Sequence, residues 1–348
     1  MSTHPMRHPW VNTALLVLVP LTLVAGLGAL LTGDPTRAWV VGLHGIGGYA
    51  IVALLGHKAV VVLRAYRRRR LFSLKGLAFL ALTLLLLALL GTGFAWSYAG
   101  PVWLGRISLM VVHGLLGVAL AGLLLWHVAA RRFVLRLPPA RDRRAFLRLM
   151  VAGLAGWGAW WLAGPVKGAL ALSGATRRFT GSYETGSYTG RFPATSWLFD
   201  TPPDLDPATW RLVVDGLVAR PLALGYDEVV ALADRTQAVV LDCTGGWYSA
   251  QVWSGVSLAR LLDLAGVRPE ARSIRIESAT GYARYLALSE AAEALLATHV
   301  AGEPLDRAHG SPARLVVPGR RGFAWVKWVT RVHLSARPAW LQSPLPLQ

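Results

Sequence analysis

Residues 107–130, ISLMVVHGLLGVALAGLLLWHVAA, contain no Asp, Glu, Lys or Arg, and their two ring-bearing polar side chains are His113 and His127. A run of this length matches the roughly 20 residues that a helix needs to cross a bilayer core. Residues 13–31, 38–63 and 77–98 form comparable runs, and a shorter, Trp-rich fifth covers 146–162. The expected architecture of this half is an all-α membrane bundle of about five transmembrane helices. Composition agrees, because 54% hydrophobic residues against 16% charged is too apolar for an ordinary soluble chain of 348 residues.

The formal net charge of +18 raises the question of nucleic acid, and its distribution answers it. Up to Thr176 there are 18 Lys and Arg against two acids, Asp34 and Asp142; beyond it 18 face 16. Six of the basic residues fall between Arg64 and Lys75 and seven between Arg131 and Arg148, whereas the alternate loops hold little beyond Arg37 and Arg106. Bias of this kind orients a membrane protein with its basic loops inside and excludes a nucleic-acid footprint. The N-terminus is then cytoplasmic, everything after the fifth helix is extracytoplasmic, and the second and fourth helices run parallel. The partner surface implied is the lipid bilayer of a bacterial inner membrane.

Four histidines lie in these spans: His44 and His57 on the second, His113 and His127 on the fourth. Polar groups at membrane depth are costly and usually functional. Fourteen residues separate His113 from His127, about 40° short of four turns with a rise of about 21 Å, so both occupy one face near opposite leaflets. Two such helices could clamp two stacked haems, His44 with His113 near the outer surface and His57 with His127 near the cytoplasm, each iron taking a neutral imidazole from each helix. The 13 residues from His44 to His57 leave their positions about 140° apart, so the second helix must tilt or unwind. Gly45, Gly47 and Gly48 offer a flexible backbone there and room for a porphyrin. The pattern resembles the di-haem bundles of the cytochrome b and transmembrane ferric reductase families, which implies two b haems. Packing or proton-path histidines are the alternative. His4, His8, His299 and His333 are expected to be structural or solvated.

The fifth span opens Arg143-Arg144-Ala145-Phe146-Leu147, which either resembles an internal twin-arginine export signal or is a basic-inside anchor. Ala169-Leu170-Ala171 faintly resembles a cleavage site, although fusion to an electron donor favours a tethered domain. Residues 1–135 are therefore expected to form the four-helix di-haem domain, 136–172 the fifth helix, 173–196 a Gly/Ser/Thr/Tyr-rich linker, and 197–348 a separate domain. In that last part residues 210–214, 238–241, 273–277, 314–317 and 329–334 read as strands, and 226–233, 257–265 and 289–298 as helices. The fold class is multi-domain, a membrane bundle followed by an α+β domain.

One cysteine permits no internal disulfide, iron–sulfur cluster or C-x-x-C-H haem attachment. Cys243 ends an apolar strand at a glycine-softened turn, Asp242-Cys243-Thr244-Gly245-Gly246-Trp247, and taken alone is more often a small core residue. Trp253-Ser254-Gly255-Val256-Ser257-Leu258 follows it. Upstream stand Trp210-Arg211-Leu212 and Asp215-Gly216-Leu217-Val218; downstream stand His309-Gly310-Ser311-Pro312-Ala313-Arg314 with Val326-Lys327-Trp328. In this order, from about Trp197 to Leu334, the segments resemble the sulfite oxidase family of molybdopterin enzymes.

The resemblance implies an α+β molybdopterin-binding fold, an oxygen-atom-transfer oxidoreductase and Mo-molybdopterin as cofactor. Carried over residue by residue, Cys243 is the thiolate on molybdenum, and His309, Arg314 and the Trp325, Val326 and Lys327 stretch hold the pterin and its phosphate, with Ser278 a further polar contact. An Arg fork and a compact Lys charge suit a phosphate. Family members that oxidise sulfite carry arginine shortly after the cysteine; Gly245, Gly246, Trp247 and Tyr248 stand here. Near the domain start, where relatives place Asn or His, this chain has Thr195-Ser196-Trp197, and no ligand is assigned. The aromatic, mostly uncharged pocket is similar to the family's sulfoxide-reducing branch, that of the periplasmic methionine sulfoxide reductase catalytic subunit. That implies a small-molecule or protein-borne S-oxide or N-oxide substrate and electrons from quinol or a cytoplasmic-side donor. Oxidation of a sulfite-type substrate with electrons returned to quinone, and a transmembrane electron-transfer protein with a partner-binding outer domain, stay open.

Overall fold

Uncharged runs leave the main chain to satisfy its own hydrogen bonds, and a helix does so within a single segment. In the computed structural model, which describes residues 9–68, 74–105, 107–131, 143–196 and 201–345, five such runs are helical. They are α1 (Pro9–Leu31), α2 (Ala38–Arg68), α3 (Leu74–Tyr98), α4 (Leu109–Arg131) and α5 (Arg143–Ala169). A two-residue hairpin, β1 (Trp103–Leu104) with β2 (Ile107–Ser108), precedes α4, so the fourth helix starts two residues later than expected. All five are long and apolar enough to cross a membrane by length and composition. The chain divides into two units, Met1–Tyr183 and Glu184–Gln348.

In the helical unit α2 packs against α1 and α5, and α3 against α4. Val19, Ile51 and Leu120 form a small buried cluster ringed by leucines. Large apolar side chains on the opposite faces are open, among them Leu21, Val24, Val118 and Leu125. The glycines of α2 serve close packing: a Cβ at Gly45 would lie 2.0 Å from the Trp160 ring of α5, and one at Gly47 2.2 Å from Thr22 Oγ1 of α1. Of Gly45, Gly47 and Gly48, the last borders open space, so the room expected for a porphyrin at Gly45 and Gly47 is filled by neighbouring helices. Of the stretch read as a linker, Ser173 to Tyr183 belongs to this unit: Trp96 Nε1 donates to Gly181 O at 2.8 Å, and Arg177 Nη1 to Ser97 Oγ at 2.8 Å. The two-residue strand β3 (Tyr183–Glu184) stands at the division.

The C-terminal unit is α+β. One sheet has the order β5 (Leu222–Gly225), β4 (Arg211–Gly216), β13 (Val329–Ser335), β8 (Ser273–Ser278), β9 (Ala283–Ala287), with β4 and β13 parallel and the other pairs antiparallel. In the other, β7 (Trp247–Ser257) lies between β6 (Arg235–Asp242) and β10 (Leu295–Val300), and β10 also pairs β11 (Glu303–Pro304) and β12 (Arg314–Val316). Burial along β7 alternates for most of its length, as a half-covered strand requires. Two helices, α6 (Tyr226–Ala231) and α7 (Leu258–Ala265), complete the unit, the latter capped by Ser257 Oγ accepting from Arg260 N.

The helix expected at 289–298 is a correction. Residues Leu288–Ala292 make a 3-10 turn and the rest enters β10. Leu295, Leu296 and Ala297 are fully buried and paired to β7 on one side and β12 on the other. A strand covered on both faces reads as an unbroken apolar run, which periodicity alone does not separate from a buried helix.

Candidate active site

The turn that closes β6 onto β7 is held from within. Cys243 N donates to Trp247 O at 2.9 Å and Gly246 N to Cys243 O at 3.1 Å, with Gly246 at φ +96°. The thiol sits at the head of a cleft enclosing about 750 Å³ of space, open mouth included. Gly245 N–H approaches Sγ at 3.3 Å, and Thr195, whose Oγ1 accepts from Trp247 Nε1 at 3.2 Å, also bonds the thiol. Burial nonetheless pushes the Cys243 thiol above its ordinary pKa, and these bonds with the nearby Arg321 charge offset that in part. A thiol in this setting ionises readily only against a metal ion.

Ser278, His309, Arg314, Trp325 and Lys327 line the same cleft. Val326 does not; it is fully buried behind, its carbonyl accepting from Leu315 N at 2.8 Å. Arg314 is 2% exposed, packs against the rings of Trp253 and Trp325, and donates from Nη1 to His309 O at 3.0 Å. Its Nε is buried without a hydrogen-bond partner among the described residues. Burial lowers its pKa to about 10. Lys327 Nζ donates to Ala308 O at 2.6 Å, which turns the ammonium along the cleft wall. Both ring nitrogens of His309 are engaged, Nδ1 with Asp306 Oδ2 at 2.7 Å and Nε2 with Phe192 O at 3.0 Å. The Ser278 hydroxyl meets Thr280 Oγ1 at 3.0 Å.

Sequence reasoning passed over three parts of this site. Thr195 and Ser196 were assigned nothing, yet both line the cleft. Tyr282, Phe323 and Trp328 add to its aromatic wall. Arg321, with Asp242, forms an ion pair of 2.8 Å whose side chains are 0% and 2% exposed, and Arg321 Nη2 donates to Cys243 O at 3.0 Å. The pair fastens the loop before Gly322 to the end of β6. Asp242 stands in the quoted motif, but its partner is 79 residues away and no local pattern joins them.

In the helical unit the structure brings His44 and His113 together, their rings edge to face at 5.9 Å between centroids. His44 Nδ1 faces Thr22 O at 2.9 Å; His113 Nδ1 faces Thr92 Oγ1 at 3.1 Å, and that hydroxyl donates to Ala88 O at 2.8 Å. The Thr22 carbonyl can only accept, so the bond places a proton on His44 Nδ1 and leaves its Nε2 the lone pair, whereas the Thr92 hydroxyl can take either role toward His113. His127 is half-buried on α4, and the His57 side chain, with the inner pair it would form, lies outside the described residues. Among the described residues no three His, Cys, Asp or Glu side chains gather as a metal site.

Residues 199–341 match the model of the oxidoreductase molybdopterin binding domain. The uncharacterized oxidoreductase YuiH of Bacillus subtilis is 32% identical over 139 residues, which cover 39% of this chain and 70% of that protein. The chain belongs to the molybdopterin-binding oxidoreductases of the sulfite oxidase family. Mitochondrial sulfite oxidase of Rattus norvegicus is 31% identical over 170 residues, 40% of this chain and 31% of that protein. The protein-methionine-sulfoxide reductase catalytic subunit MsrP of Gluconobacter oxydans is 31% identical over 150 residues, 37% of this chain and 47% of that subunit. The match thus spans less than half of these two relatives' own length. This molybdopterin oxidoreductase has a cleft that fits its family's cofactor: a buried thiol needs a cation to ionise, and the unsatisfied Nε of a buried guanidinium needs an anionic acceptor.

Proposed function

We propose that this molybdopterin oxidoreductase is membrane-bound and passes electrons between the quinone pool and an extracytoplasmic molybdenum centre through two b haems, reducing an S-oxide or N-oxide. The observation that carries the reading is the joining of Cys243 and the unsatisfied, fully buried Arg314 in one cleft. Bound there, Mo-molybdopterin supplies two-electron redox chemistry and oxygen-atom exchange. Cys243 would ligate the metal. Arg314 and Lys327 would hold the pterin's phosphate, with Trp325 and Ser278 contacting the ring, Val326 supporting the Trp325–Lys327 stretch from behind and His309 acting through its backbone, since its ring is engaged. Thr195 steadies the thiol from the other side. Trp247, Tyr282, Phe323 and Trp328 wall the cleft, and no cation stands beside Cys243 in sequence, which suits a neutral oxide better than an anion.

Five apolar helices support insertion in the bacterial inner membrane, and the basic loops support a cytoplasmic N-terminus and an extracytoplasmic C-terminal unit. The approach of the His44 and His113 rings, with Nδ1 of each turned to Thr22 O and Thr92 Oγ1, supports a haem held by this pair. His57 and His127 would hold the second, on the side of quinol or a cytoplasmic donor.

Metal and pterin analysis with a reduced-minus-oxidised haem spectrum, on detergent-purified wild type and Cys243→Ser, tests this. The expected result is molybdenum and b haem in the wild type and, in the variant, haem retained with turnover of oxide substrates lost. Haem without molybdenum or pterin after molybdenum-replete growth would overturn it.

A further inference from the structure

The buried ion pair of Asp242 and Arg321 stands behind Cys243, not in the cleft. Arg321 Nη1 is 2.8 Å from Asp242 Oδ1, and Nη2 donates to the Cys243 carbonyl at 3.0 Å. The two residues also meet through their backbones in a parallel bridge, and a Cβ at the next residue, Gly322, would lie 3.4 Å from Cys243 Cα. Neither side chain is among those lining the cleft, so neither touches a cofactor or substrate held there. Taking both charges out of water is costly, and apolar side chains of the same volume often fold as well. A pair that only fastened two loops would therefore gain little from being charged.

The two charges act unequally on the sulfur: Arg321 favours the Cys243 thiolate more strongly than Asp242 opposes it. Arg314 and Lys327 line the cleft and would be met by the pterin's phosphate, whereas Arg321 lies behind the wall, where no bound ligand reaches it. We propose that Arg321, held by Asp242, is a positioning residue whose buried charge acts through Cys243 to favour the more reduced states of the metal that the thiolate ligates. The inference rests on the reading of Cys243 as the molybdenum ligand. Each electron added to such a centre makes it more negative, and a fixed cation where water is excluded lowers the cost of adding it. Asp242 sets how much of that field remains.

The test is a redox titration of the full chain in detergent, followed by the electron paramagnetic resonance signal of molybdenum, which needs no turnover. Asp242→Asn leaves Arg321 unopposed and should raise the midpoint potential, by about 59 mV for each tenfold gain in the ratio of reduced to oxidised centres in a one-electron step. Asp242→Leu/Arg321→Leu removes both charges and should lower it, because the stronger influence is the cation. Arg321→Lys should stay near wild type. Asp242→Asn strands a buried charge, so the double variant carries the test where the single one does not fold. A double variant at or above the wild-type potential, or one shifted in the same direction as Asp242→Asn, overturns the proposal. Loss of molybdenum from the double variant with its fold retained overturns it in favour of a purely structural pair. A molybdenum signal unchanged in Cys243→Ser removes the ligand reading and this inference together, whereas a signal that depends on Cys243 and ignores Asp242 and Arg321 removes this inference alone.

Discussion

Replacing Arg321 with Leu should unfold the C-terminal unit at distinctly lower temperature. The guanidinium and the Asp242 carboxylate are 2.8 Å apart at 0% and 2% side-chain exposure, and Arg321 also holds the Cys243 carbonyl. Removing one member leaves the other charge buried and uncompensated, which typically costs about 3–5 kcal/mol. The lost bond to Cys243 O lies within that figure, because truncation costs already include groups left unpaired. For a unit of this size each kcal/mol lowers the midpoint by about 2–4 °C, so a fall of about 6–20 °C is expected. The assay is thermal unfolding of the full chain followed by tryptophan fluorescence, with molybdenum content measured alongside. The double variant Asp242→Leu/Arg321→Leu should recover much of the loss, because a buried pair replaced by apolar side chains is often neutral. A single variant within about 1 kcal/mol of wild type, or a double variant as unstable as the sum of the singles, would refute the account.

Two further outcomes follow from the same unit. Gly255→Ala places a Cβ 2.1 Å from Leu296 O and 2.8 Å from Ala297 Cα, so β7 and β10 must separate; a loss of about 1–3 kcal/mol in chemical denaturation is expected, and an unchanged midpoint would contradict the register. Burial raises the Asp306 carboxyl, but the His309 ring and backbone bonds outweigh it and hold the pKa below 3.8. A depressed carboxyl stabilises fully above its unfolded pKa and stops doing so as pH falls through the folded one. Asp306→Asn should therefore differ from wild type at neutral pH and converge with it below about pH 3.8; a constant difference across that window in a pH series of unfolding curves would count against the pair.

The spans were legible because length and the absence of charge are properties of a contiguous segment, and α1 to α5 start or end within a few residues of the apolar runs. The turn at Cys243 was legible for a similar reason, since two glycines beside an apolar strand act within six residues. Segment 289–298 misled because Ala, Glu and Leu favour helix locally, whereas β7 and β12 on either side decide its state. His309, expected to help hold the pterin, lines the cleft, and its ring nitrogens engage Asp306 and Phe192, one local and one 117 residues away, pairings that no local pattern announces.

What the sequence by itself determined is what short-range chemistry and shared motif can carry: an apolar helical half with His113 and His127 spaced for one helix face, an α+β half, and a cysteine at a strand end in the order of a known family. Only the tertiary structure decided the electrostatics. It buried Arg314 against Trp253 of β7 and Trp325 of the turn after Gly322–Ala324, and joined Asp242 to Arg321. Burial and pairing belong to the space between segments, and the cost of a charge depends on which segments exclude water around it.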